Sequence, residues 1–308
     1  MYYYKHNPSR IINRHTTAKN THIYESTFFI TKSKKFAFIG CSHEYGGSRT
    51  FSDFLVDVFQ LLKPQVILLE ADYRTPQSQV LGRLNAIPGE VWHENELAVY
   101  HSRKYKSAIR GMDESERIQN KMMIALKPDG LKLLIFNMFL VRYNFYRNSL
   151  DSLLKNDAYL ITKYNFIKDL VDLNRQPGHL KKYFVRLKKI YGTPSMGKVL
   201  DNVLKDVVHK YIAPISVLDA LNKDYSSTPY GGRYKISEYI AFFDAIRERR
   251  MYESCISALK RYDRVVAISG SWHAMQLRPI LKETLGKKFG KVGVYTWKDF
   301  YKISERYK

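Results

Sequence analysis

Two histidines, His43 and His273, stand in the same frame, Gly40-Cys41-Ser42-His43 and Gly270-Ser271-Trp272-His273. Imidazole gains and loses a proton near neutrality, so a pair of them suits general acid–base work or metal ligation. Each frame follows a β-prone run, KFAFIG in the first case and RVVAISG in the second. The glycine lets the chain turn tightly where the strand stops, and the three-residue offset presents the ring over the sheet edge. Carboxylates close two further apolar runs: Glu70 and Asp72 end QVILLEAD, and Asp113 ends SAIRGMD. With Glu70, the two imidazoles supply either a metal site or a general acid–base pair.

The elements that must position these groups are legible as alternating patterns. FSDFLVDVFQLL places Phe51, Phe54, Leu55, Val58 and Leu61 or Leu62 on one helical face. QVILLEAD is continuously apolar, as strands covered on both faces are. RVVAISGSWH runs as a strand to His273 and leads into a helix, and KVGVYTW follows as a fifth strand. This alternation predicts an α/β fold with a mainly parallel sheet flanked by helices. The carboxyl ends of such strands share one edge, where ligands bind, so His43, Glu70, Asp113 and His273 converge there.

Between about Glu116 and Ser237 no strand run occurs, and the spacing is helical. We therefore expect a helical insertion forming a cap over 116–237, a core made of 35–115 and 238–308, and an N-terminal extension over 1–34. HLKKYFVRLKKIYG puts Leu180, Tyr183, Phe184, Leu187 and Ile190 on one face; its basic face, Lys181, Lys182, Arg186, Lys188 and Lys189, reads as solvated surface. Leu131–Tyr146 is broken by Lys132, Asn137 and Arg142 and falls short of the ~20 apolar residues that span a bilayer, so it reads as a buried or amphipathic helix. SSTPYGGR, at 226–233, reads as a flexible exit from the insertion.

The formal charge is +22. Such a charge draws anions, including nucleic acid, lipid and acidic substrates. Here the basic residues are spread along the chain without a nucleic-acid-binding motif, so the expectation is a distributed bias, which an AT-rich genome also produces, rather than a nucleic-acid partner. Cys41 and Cys255 have no metal-type spacing and no disulfide pattern, and the opening MYYYKHNPSRIINRHTTAKN lacks a signal-peptide core. A cytoplasmic location follows as an expectation.

Lesser candidates surround the main ones. Glu44 adjoins His43 and either contacts substrate or is solvated. Arg74 follows Glu70 and either pairs with it, contacts an anionic substrate group, or lies on the surface. His93 and His101 are too far apart for a compact helical metal pair and are expected at the surface; His179 and His209 receive no role. Cys41 lies in the first turn, where a thiolate nucleophile is conceivable, but a residue pointing opposite to His43 is expected to pack into the sheet.

Taken in order, FIGCSHEYGG, QVILLEADYR, WHENELAVYHSRKYKSAIRGMD, RERRM and VVAISGSWHAMQLRPIL resemble the superfamily that joins erythromycin esterases with TraB, Tiki and haem-binding ChaN-like proteins. The resemblance covers Lys35–Asp113 and Ala241–Ile280. Both Gly-x-x-His turns match its hallmark, and Glu70, Trp92 with Glu94 or Glu96, and Asp113 are closest to the erythromycin esterase branch. Arg247 to Met251 is similar to the family's helix of Arg, Asn or Asp, two variable residues and Met, with Glu248 as a departure. Ile39-Gly40-Cys41-Ser42-His43 stands where erythromycin esterases have Gly-Glu-x-Thr-His, so macrolide hydrolysis itself does not follow.

The resemblance implies a hydrolase cleaving an ester or peptide bond, and it leaves two mechanisms open. In an esterase-like one, His43 takes a proton from water, Glu70 orients or shares it, His273 and Arg247 steady the oxyanion, and Glu44, Arg74, Asp113 and Glu96 contact substrate, with no metal. In a Tiki-like one, His43 and His273 ligate Mn, Co or Zn and Glu70 is the base. Two other classes stay open: a non-catalytic haem or anion binder using the same histidines, and a basic nucleic-acid-binding protein. The Tyr and Phe content of the insertion suggests an aromatic or apolar substrate pocket.

Overall fold

The computed structural model describes residues 26–41, 49–72, 94–126, 129–149, 157–171, 179–223, 234–296 and 299–300. The described residues of Arg117–Asp244 form one compact unit, and those of Asn13–Glu116 and Ala245–Lys308 form another.

The second unit is built on a six-stranded mixed sheet. Its strands are β1 (Thr27–Ile30), β2 (Lys35–Cys41), β3 (Val66–Asp72), β4 (Ala108–Asp113), β5 (Arg264–Gly270) and β6 (Gly293–Thr296). They lie in the order β4-β3-β5-β2-β1-β6. The four strands β4, β3, β5 and β2 are parallel, as the apolar runs predict, with β5 paired residue for residue to β2 from Lys35↔Arg264 to Cys41↔Gly270.

Helices α1 (Arg49–Leu62) and α2 (Glu94–Tyr105) follow β2 and β3. Phe54, Leu55, Val58 and Phe59 of α1 and Ala98 and Val99 of α2 bury against Ala37, Ile39, Ile67, Leu69, Val266 and Ile268, alternate residues that line one face of the sheet. Each buried side chain of this size contributes roughly 1.5–3 kcal/mol. Helix α10 (Ser271–Phe289) completes this unit and packs along β1, β2 and β5.

Three features differ from the expectation. The sheet includes β1, inside the stretch read as an extension, and β1 pairs antiparallel with both β2 and β6. A four-residue strand carries too little alternation to be seen locally; its state comes from two neighbours, with Phe28 packed against Phe54 and Phe300 and Phe29 stacked on Phe36. The strand before His273 stops at Gly270, and His273 lies in the first turn of α10. His101 is buried, not at the surface: helical spacing from Ala98 turns it inward, where its ring stacks on Phe59 at 4.9 Å and on Tyr105 at 5.9 Å. Burial, then the charge of Lys104, lowers its pKa to about 4.

The first unit is helical throughout its described residues. It contains most of α3 (Glu116–Ala125), then α4 (Gly130–Ser149), α5 (Ala158–Val171), α6 (His179–Tyr191), α7 (Met196–Tyr211), the short α8 (Val217–Leu221), and the start of α9 (Ile236–Arg261), whose remainder belongs to the sheet unit. Helix α7 is capped by Ser195, whose hydroxyl accepts from the Lys198 N–H, and buries Val199, Leu200, Val203, Leu204, Val207 and Val208 at helical spacing. Phe139 of α4, Phe166 of α5 and Phe184 of α6 pack ring to ring beside it. On α6 the apolar face differs from the expectation at its end: Ile190 is exposed, and Tyr191, a full turn beyond Leu187, packs on the core instead. SSTPYGGR lies outside the described residues. Among the described residues no helix is long and apolar enough to cross a membrane, and Leu131–Tyr146 is a core helix.

Polar groups of this unit are answered in sets. Asp129 accepts from Lys210 Nζ at 2.5 Å and Tyr211 OH at 2.7 Å, and Asp206 from Lys132 Nζ at 2.5 Å and Tyr191 OH at 2.6 Å. Burial works against both carboxylates, but the lysine and tyrosine hydrogen bonds more than offset it and hold both below their ordinary values. Burial and the same aspartates raise Tyr191 and Tyr211. A cleft of about 920 Å³ lies over these groups, with Tyr159, Ile215, Val217 and Leu218 on its wall.

Candidate active site at the carboxyl edge of the sheet

Glu70 lies two residues before the end of β3, Asp113 closes β4, and Gly270 ends β5, all towards one edge because the three strands run parallel. Counting by twos from Leu68 puts Glu70 on the face away from α1 and α2, where α9 meets it. The register of β3 against β4 shifts between Leu69 and Asp72, a bulge that re-aims the last side chains. Gly111 of β4 makes the bulge possible. A Cβ there would lie 2.2 Å from the Asp72 carbonyl oxygen and 2.5 Å from that of Ala71, so no side chain fits.

Arg247, on α9, bridges the two carboxylates. Its Nη2 donates to Glu70 Oε1 and, at 2.6 Å, to Asp113 Oδ2, which also accepts from Nε at 2.8 Å. Burial opposes the guanidinium's charge, but Asp113 and Glu70 more than offset that and raise its pKa above the ordinary value. The other Glu70 oxygen, Oε2, accepts from the Gly270 N–H at 2.6 Å. His273 Nε2 stands 3.9 Å from Glu70 Oε1, and on the far side of the ring Nδ1 stands 3.4 Å from Glu248 Oε1.

One turn along α9, Arg250 donates to Glu114, the residue after Asp113, at 3.1 Å. Two arginines spaced i,i+3 thus hold two consecutive carboxylates at the end of β4. Ser254 Oγ donates to the Met112 carbonyl at 3.2 Å and extends the same seam, while Met251 is buried.

Of the residues expected at the site, Glu70, Asp113, Arg247 and His273 come together. His43, Glu44 and Arg74 lie outside the described residues, as do Trp92 and His93. Glu94 and Glu96 lie on α2, at its start, and nothing further is described of their side chains. Cys41 is buried and its thiol donates to the Ser269 carbonyl, which places it in the sheet and not in a nucleophile's position. The sequence reading missed the Gly270 N–H as a partner of Glu70 and treated Glu248 only as a departure; the sign was available in the adjacency of Glu248 to Arg247, which forces the two side chains about 100° apart on a helix.

The described donors do not suit a divalent ion. Among them no group of three His, Cys, Asp or Glu side chains is placed to hold a metal. The two carboxylates at the edge are already bridged by a cation, Arg247, where a metal's charge would stand. Comparisons of the chain with protein-family models, curated proteins and solved structures found no match.

Proposed function

We propose that the carboxyl edge of the sheet is the active site of a hydrolase that cleaves an ester or peptide bond with water, in the manner of the erythromycin esterase, TraB and Tiki superfamily that the motifs resemble. One observation carries the reading: a carboxylate, Glu70, is fixed through both oxygens by Arg247 and the Gly270 N–H, with an imidazole, His273, 3.9 Å away. That arrangement holds a proton acceptor in one orientation and sets cationic and N–H donors beside it.

In this mechanism Glu70, with His43, takes the proton of the attacking water. Arg247 and His273 Nε2–H face the oxygen on which negative charge develops, and the proton on Nε2 passes to the leaving group. Asp113 acts through Arg247 by fixing its guanidinium plane. No step is assigned to a metal. A cytoplasmic setting belongs to the same reading, supported by two buried free cysteines; burial also raises the pKa of the Cys255 thiol, which keeps it protonated.

The test is turnover of a panel of p-nitrophenyl esters and short peptides by the wild type, Glu70→Gln and His273→Gln. Hydrolysis that falls about 100-fold or more in each variant supports the assignment. Hydrolysis that survives both substitutions sinks it.

A further inference from the structure

The proposed chemistry uses Nε2 of His273 but gives no role to Glu248 or to the Nδ1 side of the ring that faces it. Glu248 is 1% exposed and His273 5%. Glu248 Oε1 and His273 Nδ1 face each other at 3.4 Å, and among the described residues neither atom has a hydrogen-bond partner elsewhere. A buried carboxylate oxygen without a donor is costly, and so is a buried ring nitrogen without a partner. Each supplies what the other lacks: a carboxylate oxygen accepts and a ring N–H donates, 3.4 Å apart.

We infer that Glu248 is a positioning residue for His273, holding the proton on Nδ1 and leaving Nε2 as the nitrogen that exchanges its proton at the reacting edge. This rests on the proposed hydrolase site for its purpose, though not for its geometry. A carboxylate accepts only, so the ring nitrogen it faces must donate. Nδ1–H is present both in the imidazolium and in the neutral ring so held, and the two states differ only at Nε2, the atom 3.9 Å from Glu70. Among the described residues the charged groups facing the ring are Glu248 from α9 and Glu70 from β3, with the N-terminal turn of α10 bearing the ring itself. Without Glu248, Glu70 is the nearer acceptor and draws the neutral ring's proton to Nε2, closing off the lone pair.

The experiment is long-range proton–nitrogen correlation NMR on the full chain with ¹⁵N-labelled histidine, the His273 signals being identified by their loss in His273→Gln. In the wild type, Nδ1 is expected to stay at a protonated position across the neutral range, with any unprotonated signal on Nε2. In Glu248→Leu, of similar bulk, the Nδ1 signal is expected to shift to the unprotonated position and the proton to appear on Nε2; Glu248→Gln, able to accept, is expected to keep part of the wild-type pattern. An unprotonated Nδ1 in the wild type overturns the inference even if Glu248→Leu does not fold, and an unchanged pattern in a folded Glu248→Leu also overturns it. Absence of hydrolysis with the expected tautomer would defeat the hydrolase reading and leave this pairing standing.

Discussion

The two units handle buried charge in opposite ways. In the helical unit each aspartate of the cleft is met by a lysine and a tyrosine, so Asp129, Asp206, Tyr191 and Tyr211 form closed sets. In the sheet unit Arg247 serves two carboxylates at once, and among the described residues Glu248 Oε1 and His273 Nδ1 keep no hydrogen bond. Satisfied networks hold a fold in one arrangement; groups left short of partners where strands end mark a place built for something besides stability. Charged side chains alone therefore do not identify the site. What sets the sheet edge apart is a buried carboxylate and a buried imidazole that face each other.

Removing Arg247 is the hardest blow to this contrast. Arg247→Met leaves Glu70 and Asp113 buried together without their cation, and is expected to destabilise the protein by about 4 kcal/mol in urea titration and to abolish hydrolysis. A cavity in the helical unit separates stability from chemistry: Leu204→Ala is expected to cost about 3 kcal/mol in the same titration while kcat on the best ester changes less than twofold.

Acid should act through the sheet unit. The folded pKa of His101 lies near 4, below the unfolded value of about 6.5, so the unfolded chain binds more protons between the two. The stability tied to the neutral ring is complete above pH 6.5 and is lost as the pH falls towards 4, by no more than about 3 kcal/mol. His101→Phe, which keeps the stacking on Phe59 and Tyr105, is expected to flatten that part of the pH–stability curve; an unaltered slope would assign it to other groups. The smallest effect is on the helical side, where Lys163 and Asp201 pair at 2.6 Å but remain partly exposed. Lys163→Met is expected to change stability by about 0.5 kcal/mol or less, against the large cost at Arg247.

Much of the sheet was legible because its signals are local. The runs that became β2, β3, β4 and β5 are apolar throughout and end in Gly, Glu or Asp, and parallel pairing then fixes which ends meet. Glu70, Asp113 and His273 were found that way. What depended on tertiary pairing was not legible. β1 is a four-residue strand made by its neighbours, and the bulge after Leu69 is a matter of register that no single strand encodes. His101 was misjudged because HENELAVYH looks polar, yet the Ala98 spacing turns its ring to Phe59. Glu248 was read only as a departure within RERRM, and only the crossing of α9 over the sheet edge puts it against His273.

Gly111 gives this arrangement an unusual vulnerability to inheritance. It carries no functional group and meets no substrate, yet the backbone of β3 passes so close to it that even a methyl group collides with two carbonyl oxygens. The aim of Glu70 is therefore stored in an atom that is missing. Random mutation would find this position as intolerant as a catalytic one, and the harmful alleles would include the mildest exchange, to alanine.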